Sequence, residues 1–312
     1  MFDNCRTRCR RTQLQLPGRY GSRGTCKRAC SLNKLNELVV PLTKIQEAVL
    51  QLIASQRDAE SYVAGSSPLN RHEARFSGDI DIFHDRESRI SQAAEVDAAI
   101  LVANGFEVEW SRRDPSIYSG TATQGGESTR LDWVVDSDFR FFPTTPDKTF
   151  GYILHPVDLA TNKIQAAAGR RELRDIVDVV TIHERVLPLG AVVWAAVEKM
   201  PGLTPEGLIA EIRRNSNYPA VDWKRLFAVE PLDPLVVMPK LRAALDEADA
   251  FVQQMPSSHV GLLFLEDNKI VQPDPARLDQ YQTHTGQRRG HWPSSADIES
   301  AMLEHYKILR DA

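Results

Sequence analysis

Apolar and polar positions change period several times along the chain, and each change marks an element. Residues 35–56 carry apolar side chains at Leu38, Val39, Leu42, Ile45, Val49, Leu52 and Ile53, a helical stripe broken only by Pro41. The run Tyr62, Val63, Ala64 predicts a short buried strand. Residues 78–83 then alternate strictly, which predicts a half-buried strand with Asp79 and Asp81 on one face and Ile80 and Ile82 on the other. Ser91 is placed to cap a helix running to Asn104, with Gly105 as its stop. Strand-like runs follow at 106–110, 117–123 and 130–135, the last two joined across a Gly125-Gly126 turn. This order predicts a mixed sheet with helices on one side.

Beyond residue 155 the pattern turns helical. Residues 156–168 form a helix ended by Gly169, and Arg174, Asp175 and Asp178 open the next, with the two acids three apart on one face. Helices follow at 190–199, at 204–214 behind a Thr204 cap, and at 239–254. Residues 260–265 and 269–271, split by Asp267-Asn268, predict a small hairpin, and 297–310 a closing helix. The fold class is therefore α+β, a mixed sheet flanked by helices with a helical C-terminal half. Its divisions fall at 1–34, 35–155, 156–255 and 256–312.

Length and composition add bounds. At 312 residues and 42% hydrophobic content the chain can bury a large core, and no apolar run approaches the length of a membrane span. A net charge of −4 does not by itself indicate a nucleic-acid partner. Residues 1–34 stand apart: Arg and Lys dominate, and all four cysteines sit there, at Cys5, Cys9, Cys26 and Cys30. Four thiolates suffice for zinc, but the spacing lacks the tighter C-x2-C knuckle and no apolar residues surround it, so a disordered basic arm, or one that is not translated, is the expectation. The remainder, free of cysteine, suits a reducing cytoplasm.

Candidate chemistry concentrates in residues 62–83. Carboxylates two apart on a strand lie roughly 6.5 Å apart along the chain, and at an effective dielectric near 20 they repel by about 2.5 kcal/mol. A solvated acidic face on a surface strand shows the same alternation; in a cleft, one or two Mg²⁺ ions turn the pair into a ligand set. Upstream, Gly65 permits a backbone that brings amide N–H groups to an oxyanion, Ser66 and Ser67 add hydroxyls, and Pro68 suits a first helical turn. An ordinary Gly-Ser turn reads the same in isolation.

Together, the apolar-Gly-Ser loop, the spacer from Ser67 to Gly78 and the Asp-Ile-Asp-Ile strand resemble the polymerase-beta-type nucleotidyltransferases. The later segment 158–179, with Lys163 on a helix followed by Arg174-Asp175, is similar to the AbiEii/AbiGii abortive-infection toxins among them, and the likeness runs from about residue 35 to about 255. Where that family has Gly-Gly or Gly-Ser followed by Thr-Ala-Leu, this chain has Ser66-Ser67-Pro68-Leu69. The resemblance implies a nucleotidyltransferase in which Asp79 and Asp81 hold two Mg²⁺ ions, with a third carboxylate from a neighbouring strand. Asp132 is the candidate third ligand, ahead of Glu127, while Asp136 and Asp138 read as loop residues. It further implies that Gly65, Ser66 and Ser67 meet the phosphates of an NTP with Lys163 and Arg174, and that Asp175 positions Lys163 or Arg174. RNA or tRNA is the first expectation for the acceptor, with a cognate antitoxin as a partner. A protein or small-molecule acceptor, or a non-catalytic RNA- or partner-binding protein that keeps the fold, are the alternatives.

Overall fold

Thr43 accepts from the backbone N–H of Gln46 while the Gln46 side chain accepts from the Thr43 N–H, a reciprocal cap that starts α1 at Lys44–Ile53. The computed structural model to which this helix belongs describes residues 42–71, 75–136, 139–200 and 202–288. The basic arm at 1–34 with its cysteines, the first part of the apolar stripe, Asp138 and the helix expected at 297–310 lie outside the described residues.

Strand β1 (Ser61–Ala64), helix α2 (Ser66–Leu69) and strand β2 (Asp79–His84) follow. The alternation of β2 is expressed as read: Ile80 and Ile82 are fully buried, and the acids face the other way. Helix α3 (Glu87–Ala103) starts a turn earlier than the Ser91 cap predicts, leaving Ser91 inside it, and Gly105 follows it with φ +84°. Strands β3 (Glu107–Asp114), β4 (Ile117–Gln124) and β5 (Glu127–Val135) form a meander. Its Gly125-Gly126 turn has both φ values positive, +61° and +84°, the backbone that a tight hairpin demands and glycine supplies. Three short strands that no alternation announces, β6 (Phe139–Arg140), β7 (Thr145–Asp147) and β8 (Gly151–Ile153), precede α4 (Pro156–Gly169) and α5 (Leu173–Arg185).

Seven strands make one sheet in the order β3-β4-β5-β2-β1-β8-β7. It is mixed, with β2 parallel to β5 and β1 parallel to β8. Helices cover both faces rather than one. On one side α1 and α3 pack over Val63, Ile80, Ile82, Leu131 and Trp133. On the other, Tyr62 and Ala64 meet Leu159 of α4. The largest apolar cluster lies beyond the sheet, among α4, α5, α6 (Leu189–Ala196), α7 (Pro205–Asn215), α8 (Ala220–Trp223) and α9 (Pro234–Gln254). Thr204 caps α7 as expected, accepting from Gly207 N–H at 3.1 Å. Helix α9 begins five residues before Pro239, because Asp233 caps it through Leu235 N–H. The carbonyl that Pro239 leaves unpaired belongs to Leu235, which is exposed to water in that first part of the helix. The hairpin of β9 (Leu263–Glu266) and β10 (Lys269–Val271) turns through Asp267 and Asn268, both at positive φ. It gains a third strand in β11 (Gln282–His284), and β12 (Gln287–Arg288) pairs with β6. Among the described residues no helix is long and apolar enough to cross a membrane.

Buried charge ties α3 to the sheet. Arg57 Nη2 donates to both carboxylate oxygens of Asp97 at 2.8 and 2.7 Å, and Trp133 Nε1 adds a third hydrogen bond at 2.7 Å. Nearby, His84 is fully buried against Ser61, and burial, reinforced by Arg57 and Arg89, lowers its pKa to about 3.

Both observations set expectations for stability. Asp97→Ala leaves the Arg57 guanidinium buried without its partner and is expected to cost about 3–5 kcal/mol in urea unfolding. As pH falls, the unfolded chain protonates His84 near 6.5 while the folded chain resists to about 3, so stability from this residue declines with acid across that window. At pH 5 the loss is about 2 kcal/mol. His84→Gln should therefore lose about that much less between pH 7 and pH 5 than the parent chain, measured as the change in unfolding free energy.

Candidate active site

Strand pairing brings the acids together. Asp81 of β2 lies directly across from Asp132 of the parallel β5, and Asp79 is two residues back on the same face. One carboxylate oxygen from each of the three lies within 4.8 Å of the other two. Glu127 begins β5 at its exposed far end, and Asp136, just past β5, hydrogen-bonds Tyr62 instead. The donor set is entirely hard oxygen, the set Mg²⁺ takes. Burial, followed by the charges of Asp79 and Asp132 and against the pull of Lys163, raises Asp81 to about 7. A carboxylate that holds a proton so readily at neutral pH fits a site where a cation takes the proton's place.

Gly65, between β1 and α2, has φ +69°, and a Cβ there would stand 1.9 Å from Asp81 Oδ2. Only glycine allows the loop to approach the carboxylate this closely. The helix behind it is a single turn, too short to contribute much dipole, so the loop's positive character comes from side chains. Lys163 of α4 supplies it, donating to Ser66 Oγ at 2.9 Å. Ser67 turns away and donates to the backbone carbonyl of Asp79 at 2.9 Å, fixing the loop to β2.

Lys163 is held by both aspartates of α5, Asp175 at 3.2 Å and Asp178 at 3.0 Å. Burial alone would raise these two carboxyls, but Arg170 and Lys163 hold Asp175 below the ordinary carboxylate range, and Lys163 and Arg75 do the same for Asp178. Arg75 grips Asp178 through two nitrogens at 2.9 and 2.7 Å, and Asn70 adds a bond at 3.0 Å. Arg170 donates to Asp175 at 2.7 Å. Three cations, Lys163, Arg170 and Arg75, against two anions leave the group with one net positive charge beside the carboxylates.

Arg174, next to Asp175 in α5, reaches the triad rather than Lys163. Its Nη1 is 3.4 Å from Asp79 Oδ2, and Arg130 holds Asp132 at 2.9 Å. Asp79, Asp81, Asp132, Ser66 and Lys163 line one polar cleft of about 220 Å³ with Arg130, Arg170 and Arg174. Asp175 does not line the cleft and contacts Lys163 and Arg170. Sequence reading paired Asp178 with Asp175 on one helix face but did not single it out, and it passed over Asn70, Arg75, Arg130 and Arg170. Arg130 was accessible from the strand pattern, being two residues from Asp132 on the same face; Asn70 and Arg75, in an aperiodic spacer, gave no such signal.

No protein-family model matches the chain, and no curated protein matches it. Among solved structures it is similar to MenT4, a nucleotidyltransferase toxin from Mycobacterium tuberculosis H37Rv, at 14% identity and a TM-score of 0.38 over 64% of this chain and 91% of that one. It is also similar to the Cid1 poly(U) polymerase, at 15% identity and a TM-score of 0.25 over 49% of this chain and 45% of that one. A cytoplasmic RNA terminal U-transferase gives 15% and 0.24 over 55% and 53%. The chain spans about half the length of these last two. Likenesses this distant say nothing of activity.

Proposed function

We propose that the protein is a metal-dependent nucleotidyltransferase that moves NMP from an NTP to an acceptor hydroxyl, with RNA as the acceptor. The observation that carries this reading is the convergence of Asp79, Asp81 and Asp132 immediately beside the Gly65-Ser66 loop and Lys163. A metal site alone would suit many hydrolases; a metal site abutting a cationic, glycine-opened loop suits a triphosphate.

Asp79, Asp81 and Asp132 would hold Mg²⁺, which when bound lowers the pKa of an attacking hydroxyl and offsets charge on the phosphates. The chain's own residues do the rest. The Gly65-Ser66 backbone and the Ser66 hydroxyl receive the β and γ phosphates, with Lys163 stabilising charge on the departing pyrophosphate. The acceptor oxygen bonds to the α phosphorus as the bond to pyrophosphate breaks, and its proton passes to a carboxylate of the triad, Asp132 being on the strand farther from the loop. Arg130 and Arg174, about half and one third exposed at the cleft, favour an anionic acceptor chain over a neutral one. A role as the toxin of a toxin–antitoxin pair follows from the likeness of segment 158–179 to the AbiEii/AbiGii toxins.

Incubation with α-labelled NTPs, Mg²⁺ and total RNA tests the reading. The parent chain should label RNA, chelation by EDTA should abolish labelling, and Asp79→Ala should reduce it by at least about a thousandfold; equal labelling by Asp79→Ala would falsify the metal assignment. Gly65→Ala, whose Cβ collides with Asp81, is expected to fold yet lose labelling to a similar degree, read beside a thermal melt. Expression should arrest growth with the parent chain and not with Asp79→Ala; growth unaffected by the active chain would remove the toxin role and leave the transferase.

A further inference from the structure

Lys199 is a buried cation that nucleotidyl transfer does not use, and it fixes the polarity of one cavity wall. Its side chain is 2% exposed, and its Nζ donates to Asp158 Oδ1 at 3.0 Å and to Asn162 Oδ1 at 2.8 Å. Asp158 is fully buried and also accepts from the backbone N–H groups of Phe141 and Phe142 at 2.8 and 2.9 Å, which anchors Lys199 in place. An ammonium has donors and no acceptor. Asn162 must therefore meet it with the carbonyl oxygen, which leaves its amide N–H groups as the face presented elsewhere.

Asn162 also borders a cavity of about 340 Å³. The cavity shares Asp81, Lys163 and Arg170 with the carboxylate cleft, and Asn162 belongs to the part it does not share, between the apolar walls of Phe83, Val135 and Leu159. Gln165, one turn along α4, borders the same part, and its Nε2 is a buried donor with no hydrogen-bond partner among the described residues. Asp136, whose carboxylate accepts from the Tyr62 hydroxyl, borders this part as well. An NTP with its triphosphate against Lys163 would have room here for its nucleoside, with apolar walls for the faces of a base and the amides of Asn162 and Gln165 for its edge.

We propose that this cavity receives the base of the donor NTP and that Asn162, oriented by Lys199, selects bases with a carbonyl where cytosine and adenine carry an amine. The inference builds on the nucleotidyl-transfer reading. Uracil O4 and guanine O6 accept a hydrogen bond, whereas the amines of cytosine and adenine donate. Opposite a fixed N–H donor, an amine sets donor against donor, and both lose water without gaining a partner. Uracil is thus favoured over cytosine and guanine over adenine. Asn162 is the specificity-determining residue, and Lys199 positions it.

Calorimetric titration of the full chain with UTP, CTP, GTP and ATP in Mg²⁺ reads this directly. The parent chain should bind UTP at least about tenfold more tightly than CTP, and GTP more tightly than ATP by a similar factor. Asn162→Asp keeps the pairing with Lys199 and replaces donors by acceptors, so it should invert the order within each pair. Asn162→Ala should narrow each ratio to less than about twofold. Asn162 is half-buried at a cavity wall, so both variants should melt with the parent chain. Four NTPs bound alike by the parent chain, or an unchanged order in Asn162→Asp, would overturn the proposal while leaving nucleotidyl transfer standing. Failure to bind any NTP would overturn both.

Discussion

Three carboxylates, each with one oxygen within 4.8 Å of the other two, repel, and much of the surrounding structure is organised around that repulsion. At an effective dielectric near 20, two unit charges at such a separation repel by about 3.5 kcal/mol. The protein meets the cost unevenly. Asp132 is paired with Arg130, and Asp79 with Arg174 and the Ser77 hydroxyl. Asp81 has neither and is pressed against Gly65, and it is the one whose pKa rises to about 7. The unrelieved member of the triad is therefore the one shared between the acidic strand β2 and the Gly65 loop, where a cation would relieve the repulsion.

The positive half of the site is as constrained as the negative half. Lys163 lies within 3.2 Å of two aspartates, which would cancel it if they were otherwise unpaired. Arg75 and Arg170 occupy those aspartates from the far side, so Lys163 is positioned without being neutralised. This explains why both aspartates of α5 are buried, where a helix-start aspartate serving only the dipole would face water. It also explains why the helical half is needed: α4 and α5 bring the cation, and α6–α9 bury the apolar backs of those helices in the largest core cluster.

Legibility in the sequence followed periodicity. The alternation through Asp79 and Asp81, the glycine turn at 125–126 and the cap at Thr204 are local signals, and the structure contains each where the pattern places it. Helices on the second face of the sheet were not legible, because α4 is joined to the sheet through Leu159, a contact made in space and unmarked in spacing. The short strands β6–β8 are too brief to show alternation. Among site residues, those on regular elements were readable as candidates: Asp132 from its strand, Lys163 as the cation in an apolar helix. Arg75 and Asn70 come from the spacer between loop and strand, and their partner Asp178 is more than a hundred residues away in sequence. Lys199 is closer to Asn162 but lies on another helical element, so no helix-face rule connects them.

Register is what joins the two halves of the site. Strands β1 and β2 pair antiparallel with Ala64 opposite Asp81, so the residue after Ala64, Gly65, is delivered to the carboxylate's side. A slip of one residue would place Ile80 or Ile82 opposite Ala64 and turn the acids into the apolar layer beneath α1 and α3. The buried isoleucines forbid that slip, since each would lose about 2 kcal/mol of burial while an acid took its place in the core. The same alternation that makes β2 look like an ordinary half-buried strand is thus what locks the loop to the triad. On this account the apolar face of β2 is part of the active-site geometry, although none of its side chains borders the cleft.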